Sequence, residues 1–284
     1  MYKKSIKNNS KYLIPFTEGI KFYGSDDIEH VIGTMILLNK HGDVLTCRHI
    51  AERIIFNSEY NNKYKLLLNQ INKSNNRTRR RLEKENDLQK DTVVMSNITF
   101  PFKIMGNVDI ICHGYLDLAV IRFKNLNVNL DNYPVFSKEL PEQGQSVCKL
   151  GFAFPEYSMY EYSKEKNSII IKDEKIENYP LFPLDGIVTR LVMDEHNKLS
   201  MFETSTPGIR GQSGGTVFSP EGLVYGIQSM TSHLDLNFDV NQTVRRGPEE
   251  KMINYTPFIN LGICVSSKEI IDFLKQNDIE FNSK

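Results

Sequence analysis

An excess of either charge is what this sequence lacks: 35 lysines and arginines balance 35 aspartates and glutamates. Nothing in that balance selects nucleic acid, an anionic membrane or an acidic substrate as partner. Cysteine is scarce. Cys47, Cys112, Cys148 and Cys264 stand far apart in apolar, strand-like settings with no C-x-x-C pair, which argues against a disulfide framework. A structural zinc site needs closely spaced ligand pairs, and the lone neighbours Cys112 and His113 read instead as a strand cysteine beside a histidine. All four cysteines are expected as reduced core thiols, and no metal is assigned. Long apolar runs are also missing. The N-terminal MYKKSIKNNSKYLIPF has basic residues but no apolar core of a signal peptide, and no stretch approaches the ~18 residues that span a bilayer. The expectation is a soluble, non-exported, cytoplasmic chain.

What is present suffices for a folded core: 284 residues, 40% of them hydrophobic and 10% aromatic, exclude global disorder and fibrous architecture and fit about two domains. Short stretches rich in Val, Ile, Phe and Thr, separated by Gly, Pro and Asn, fall at 19–24, 31–38, 42–46, 93–104, 107–111, 117–123, 145–151, 168–172, 186–193, 199–204, 214–219 and 223–230. A dozen short strands without intervening helical patterns predict sandwiches or barrels and disfavour a doubly wound α/β fold.

Two segments break the strand pattern. Residues 61–90 hold sparse Leu66, Leu67, Ile71 and Leu82 among polar residues, with nine basic side chains against three acidic ones, and read as a helical insertion spanning about 57–92. Its run Arg77-Thr78-Arg79-Arg80-Arg81 could meet nucleic acid, a membrane surface or an acidic partner, or be a cleavage site; a solvated helix is the plainer reading. At the C-terminus, Ser266-Ser267-Lys268-Glu269 has capping-box spacing, and Ile270, Ile271, Phe273 and Leu274 follow with helical periodicity. A closing helix packed on the last domain is expected. The turn-rich segment from Pro134 to Pro141 is the best boundary, giving domains 1–134 and 135–284.

Three segments carry the chemistry. His49 follows the hairpin GTMILLNKHGDVLTCRHI, Asp117 heads the apolar strand DLAVI, and Ser213 sits in the glycine-rich turn GQSGG that runs into a strand. Singly each has a bland explanation, but together, in that chain order, they match one reaction. A serine hydroxyl is a poor nucleophile at neutral pH and needs a base such as the His49 imidazole. A carboxylate on the other ring nitrogen, here Asp117, fixes the tautomer and stabilises the charged form. A tetrahedral oxyanion needs preorganised donors, and the N–H groups of Gly211 and Ser213 in a tight glycine turn are the candidates.

TCRHI, DLAVI and GQSGG resemble the three signatures of the chymotrypsin-like (trypsin-like) serine peptidases, closest to the bacterial HtrA-type branch. The hairpin 33–50, Gly186-Ile187-Val188-Thr189 and Gly262-Ile263-Cys264-Val265 extend the resemblance over about 31–277, outside the insertion. It implies an all-β fold of two antiparallel six-stranded β-barrels with the triad in the cleft between them. It also implies that Ser229 hydrogen-bonds the triad acid and that the backbone from Ser229 through Met230 to Thr231 pairs with an extended substrate, with Pro207 and Ile209 beside them in the substrate site. The pattern departs in places. Gln212 stands where the secreted branch has an acid that pairs with a freed N-terminus, so that mode of zymogen activation is not implied. Pro207 replaces the pocket-floor acid of Arg- and Lys-specific members, which leans the expectation to small or apolar side chains at the cleaved residue. No residues follow about 280 for the branch's PDZ module, so trimerisation and stress control are not implied.

Gly211-x-Ser213-x-Gly215 also fits the nucleophile elbow of α/β-hydrolases, but that fold needs a helix after the serine and its Asp and His downstream, whereas Thr216-Val217-Phe218 continues as strand. Cys47 invites a thiol-protease reading, yet it stands two residues from His49 along a strand end and is expected as a packed thiol facing away from the nucleophile's place. The sequence therefore predicts an intracellular serine endopeptidase acting through an acyl-enzyme without cofactors. Its partners would be a protein or peptide substrate and an activating protein. A catalytically silent protease-fold module that binds peptides or a partner remains the alternative.

Overall fold

The computed structural model describes all residues except 105–107, 125, 127, 129, 155–158, 173–178 and 248. A short helix α1 (Lys3–Asn9), which the sequence did not announce, docks through Tyr2 on Phe218 at 6.1 Å. Next come β1 (Leu13–Phe22), β2 (Ile28–Leu37) and β3 (Asp43–Thr46), then helices α2 (Arg48–Lys73) and α3 (Asn76–Glu85). Strands β4 (Val93–Thr99), β5 (Val108–Cys112) and β6 (Ala119–Phe123) complete an antiparallel sheet in the order β4-β1-β2-β3-β6-β5. Of the 107–111 candidate, residue 107 lies outside the described residues. Among the described residues no ladder joins β4 to β5, so this unit is a half-barrel rather than the expected closed one. Rings fill its open side: Phe100, Phe102 and Phe123 meet at 5.1–5.7 Å.

The second sheet is built from β7 (Val135–Phe136), β8 (Ser146–Phe152), β11 (Leu181–Met193), β12 (Leu199–Thr204), β13 (Thr216–Phe218), β14 (Val224–Asp235), β17 (Phe258–Ser266) and β18 (Asn282–Ser283). Six of these close on themselves in the order β13-β8-β11-β12-β17-β14, the ring being completed by Thr216 opposite Ile227. The expected all-β, chymotrypsin-like pair of six-stranded units is thus present. Within the second unit's sequence, between β8 and β11, β9 (Tyr160–Ser163) and β10 (Ser168–Ile171) form a ribbon that packs Tyr160 against Gly19 of β1. A second ribbon, β15 (Val240–Arg246) with β16 (Glu249–Tyr255), was not foreseen, because its residues are polar and mostly exposed.

The insertion is helical but does not stand apart from His49. Helix α2 starts at Arg48 and runs unbroken for 26 residues, about 39 Å at 1.5 Å per residue. Tyr64 and Leu68 on its inner face pack with Val94 of β4, while Asn61 Nδ2 donates to Ser96 O at 2.8 Å. The basic run Arg77–Arg81 lies on α3, which buries nothing and pairs Arg79 with Glu83 and Arg81 with Glu85. No helix among the described residues is long and apolar enough to cross a membrane.

The C-terminal helix α4 (Ser267–Gln276) is capped as expected, Ser266 Oγ accepting from the Glu269 N–H at 3.4 Å. It does not pack on the last sheet alone. Phe273 meets the His113 ring of the half-barrel at 5.3 Å, and Arg122 of β6 donates to Asn277 O at 2.9 Å. One apolar core accordingly runs through both units, joining Leu45 and Val120 to Cys148, Ile227, Ile270 and Phe273. Cys47, Cys148 and Cys264 are buried free thiols; Cys112 is only half-buried, a correction to the expectation of four core thiols. Phe273→Ala should lower unfolding free energy by about 3–5 kcal/mol in urea titration, whereas Leu66→Ala, at a side chain 71% exposed, should stay within about 0.5 kcal/mol of wild type.

Candidate active site

His49 lies in the first turn of α2, immediately after β3 delivers the chain to the cleft. Asp117 precedes β6 in a turn held by the bond from His113 N–H to Leu118 O at 2.8 Å. The pairing of β3 with β6, Thr46 opposite Ala119, brings the two together across 68 residues of sequence. His49 Nδ1 contacts Asp117 Oδ2 at 2.9 Å and Oδ1 at 3.0 Å, and the His49 backbone N–H donates to Oδ1 at 3.0 Å. From the second unit, Ser229 of β14 donates its hydroxyl to Oδ2 at 2.6 Å. Burial alone would raise the Asp117 pKa; the hydrogen bond and charge of the His49 ring, the Ser229 hydroxyl and the His49 N–H outweigh it and bring it down to about 2.

Ser213 sits at the apex of the turn 208–215. Its hydroxyl donates to Ser229 O at 3.3 Å, and no hydrogen bond joins it to His49. Ser229 therefore touches both the acid and the serine, one through its hydroxyl and the other through its carbonyl. The turn is fixed from the half-barrel by Thr34, a residue without an assigned role in the sequence reading. Its N–H donates to Ser213 O at 2.9 Å, its hydroxyl donates to Gly211 O at 2.8 Å, and the same hydroxyl accepts from Phe152 N–H at 2.9 Å. Glycine is required at two points here. Gly211 has φ +97° and a Cβ would stand 2.2 Å from Phe152 O; Gly214 has φ +81° and a Cβ would stand 2.1 Å from Thr34 O.

The donors in this turn divide cleanly. The N–H groups of Gln212, Gly214 and Gly215 are bonded to Ile209 O, Gln228 O and Gln212 O. Those of Gly211 and Ser213 have no acceptor among the described residues, and the neighbouring Arg210 carbonyl is turned away to accept from Phe154 N–H at 3.2 Å. Two adjacent, unspent backbone donors beside a serine hydroxyl form a ready anion site.

Beside Ser213 opens a pocket of about 170 Å³ lined by Gly208, Ile209, Arg210, Gln228, Ser229, Met230 and Thr231. Ile209, Ser229, Met230 and Thr231, which the resemblance implied for substrate binding, all line this pocket. Pro207 does not: it lies one residue behind the wall, with its carbonyl accepting from Lys149 Nζ at 2.7 Å. Gln228 was missed, since nothing in its local sequence marks it as facing the site. Above the pocket, β14 has a free edge from Ser229 to Asp235. Gly262 N–H is spent on Thr206 O and Leu236 N–H on Pro257 O, so alternation turns the backbone groups of Thr231, His233 and Asp235 outward.

Cys47 does not simply face away. Its sulfur donates to Gln228 O at 3.3 Å and lies, with His49 and Asp117, in the one trio of potential metal donors within 4.8 Å among the described residues. Ligation needs the thiolate, and burial and the Asp117 charge push this thiol well above its usual range, while both Asp117 oxygens already hold donors.

A family model for the trypsin-like peptidase domain matches residues 33–227. The chain belongs to the trypsin-like peptidase family. No curated protein matches the chain. Among solved structures it is similar to the serine endoprotease from Yersinia pestis, at 14% identity and a TM-score of 0.47, over 97% of this chain and 66% of that one. This chain thus spans less than two thirds of that chain's length.

Because the Asp117 pKa is depressed on folding, its ionised form contributes stability that is complete above about pH 5 and is lost as pH falls through about 2. Asp117→Asn should therefore flatten the acid limb of stability between about pH 5 and pH 2, measured by urea titration at each pH.

Proposed function

We propose that this protein is a serine endopeptidase in which Ser213 is the nucleophile, His49 the general base and acid, and Asp117 the group that orients His49. In this reading Ser213 Oγ attacks the substrate carbonyl carbon as its proton passes to His49 Nε2, and the N–H groups of Gly211 and Ser213 hold the oxyanion. Collapse breaks the C–N bond, the leaving amine takes the proton from His49, and water activated by the same ring then hydrolyses the acyl-serine. The observation that carries the reading is the pair of unspent N–H groups beside a serine whose neighbour, Ser229, also binds the His49–Asp117 pair. Attack requires Oγ to leave Ser229 O and turn to the base, and such contacts commonly tighten only when substrate binds.

The substrate class is an extended polypeptide, pairing as an added strand with the β14 edge. Because that edge continues past Thr231 to His233 and Asp235, kcat/KM should keep rising as peptides are lengthened to seven residues before the cleaved bond; a plateau at three would limit recognition to Ser229–Thr231. We further place the protein in the cytoplasm as a regulated processing enzyme with few substrates, switched on by a protein partner, its domains divided at 134/135.

The absent Ser213–His49 hydrogen bond favours a second reading, a silent module that binds peptides. A fluorophosphonate probe separates the two. Wild type should be labelled, Ser213→Ala and His49→Ala should not, and Asp117→Asn should lose roughly 10³–10⁴-fold in peptide turnover. Folded wild type that resists the probe, alone and in native lysate, would establish the silent module.

A further inference from the structure

Lys149 is an amine with no counter-ion among the described residues. It projects from β8 into the closed barrel, 1% exposed, where its three donors go to Thr206 O at 2.5 Å, Pro207 O at 2.7 Å and Thr204 Oγ1 at 3.2 Å. All three acceptors are neutral, and among the described residues no carboxylate lies within salt-bridge distance. A charge taken into a barrel interior unpaired is costly, and an apolar side chain of similar volume would serve the core better. Burial accordingly lowers its pKa to about 8.

Its position suggests what repays that cost. The carbonyls it holds belong to the segment 206–207 that leads directly into Gly208, the wall of the pocket beside Ser213. Beside these acceptors Gly262 leaves room for the amine: a Cβ there would stand 2.6 Å from Nζ. The Gln228 amide lines the pocket itself, its Nε2 donating to Met230 O at 2.7 Å and Ile263 O at 3.3 Å. Thr231 Oγ1 faces Gly208 O at 2.6 Å, and Arg210 stands at the rim, its exposed guanidinium reaching Glu29 at 3.2 Å. The pocket is lined by the Gln228 amide, the hydroxyls of Ser213, Ser229 and Thr231, and the side chains of Ile209 and Met230; it has Arg210 at its mouth, Lys149 behind the segment that leads into its wall, and no acid in its lining among the described residues.

We propose that this pocket takes an acidic side chain, so that the peptidase cleaves after glutamate or aspartate, with Lys149 as the specificity-determining counter-charge. The inference rests on the peptidase reading and replaces the expectation of a small or apolar side chain drawn from Pro207. A carboxylate in the pocket supplies the partner the amine lacks, whereas a lysine or arginine there would meet like charge in a low-dielectric site.

The test uses the full chain and fluorogenic peptides identical except at the cleaved residue: Glu, Asp, Gln, Leu and Arg. Glu and Gln are nearly isosteric, so their ratio reads charge alone. In wild type, Glu should exceed Gln in kcat/KM by about tenfold or more. In Lys149→Met the ratio should fall toward one, and Lys149→Arg should restore it. Equal cleavage after Gln and Glu by a wild-type enzyme that labels with fluorophosphonate overturns the acidic pocket and leaves the peptidase reading standing. Wild type that neither labels nor cleaves overturns both. Persistence of the Glu preference in Lys149→Met removes the role from Lys149. Should that variant not fold, the wild-type Glu-to-Gln ratio still decides whether the pocket is acidic-specific.

Discussion

The candidate site depends most on the attachment of one buried threonine to the serine turn. Thr34 belongs to β2 of the half-barrel, yet its N–H, hydroxyl and carbonyl are all engaged around the turn that carries Ser213. The N–H and hydroxyl hold Ser213 O and Gly211 O, and the carbonyl accepts from Thr46 Oγ1 at 2.8 Å. With the carbonyls of Gly211 and Ser213 drawn toward β2, the N–H groups of the same two residues are left without internal partners. The two hydrogen bonds from Thr34 to the turn hold that arrangement in place. Thr34 is wholly buried, so water does not compete for those bonds.

The acid is held by a different but equally divided set of contacts. His49 and its helix come from the half-barrel, Ser229 from the closed barrel, and Asp117 joins them. Neither unit alone completes the Asp117 environment, so the alignment of the two sheets is itself a condition for the low pKa. That alignment is secured elsewhere by one apolar core and by α4, whose Phe273 and Asn277 reach the half-barrel. Stability and chemistry are coupled through the same junction, because a shift of one sheet against the other would separate Ser229 from Asp117 and Thr34 from Ser213.

The parts legible in the sequence were those that repeat a local rule. The glycines of 211–215 marked a tight turn, short stretches rich in Val, Ile, Phe and Thr marked the strands, and the 266–269 spacing marked a helix start. Chain order and residue type brought out His49, Asp117 and Ser213. What was not legible depended on contacts between distant segments. Thr34 and Lys149 look like ordinary strand residues in their own stretches, and only the closure of the barrel puts one beneath the serine turn and the other behind the segment that leads into the pocket wall. Pro207 was misjudged for the same reason: counting back from Ser213 gives a position, not the direction in which the wall faces. The β15–β16 ribbon escaped because an exposed hairpin needs little hydrophobic alternation, and the half-barrel because strand counting does not reveal whether the end strands pair.

The basic insertion changes meaning once it is seen as a continuation of α2. The N-terminus of a helix presents unsatisfied N–H groups and a partial positive charge, which favour an anion there. Asp117 occupies that place, accepting the His49 N–H while it contacts the His49 ring, so one carboxylate serves the helix end and the histidine together. Lengthening such a helix adds little to its terminal field, which acts within the first turn. It adds an anchor instead. Asn57 and Asn61 bond to Ser96, and Tyr64 and Leu68 pack on Val94, so that the far turns of α2 are fixed to β4 at the open edge of the half-barrel. The rod thereby covers the edge that a closed barrel would have paired and at its other end sets the angle at which His49 enters the cleft. The unclosed sheet and the long helix are two sides of one arrangement, in which a helix replaces the missing ladder and carries the base.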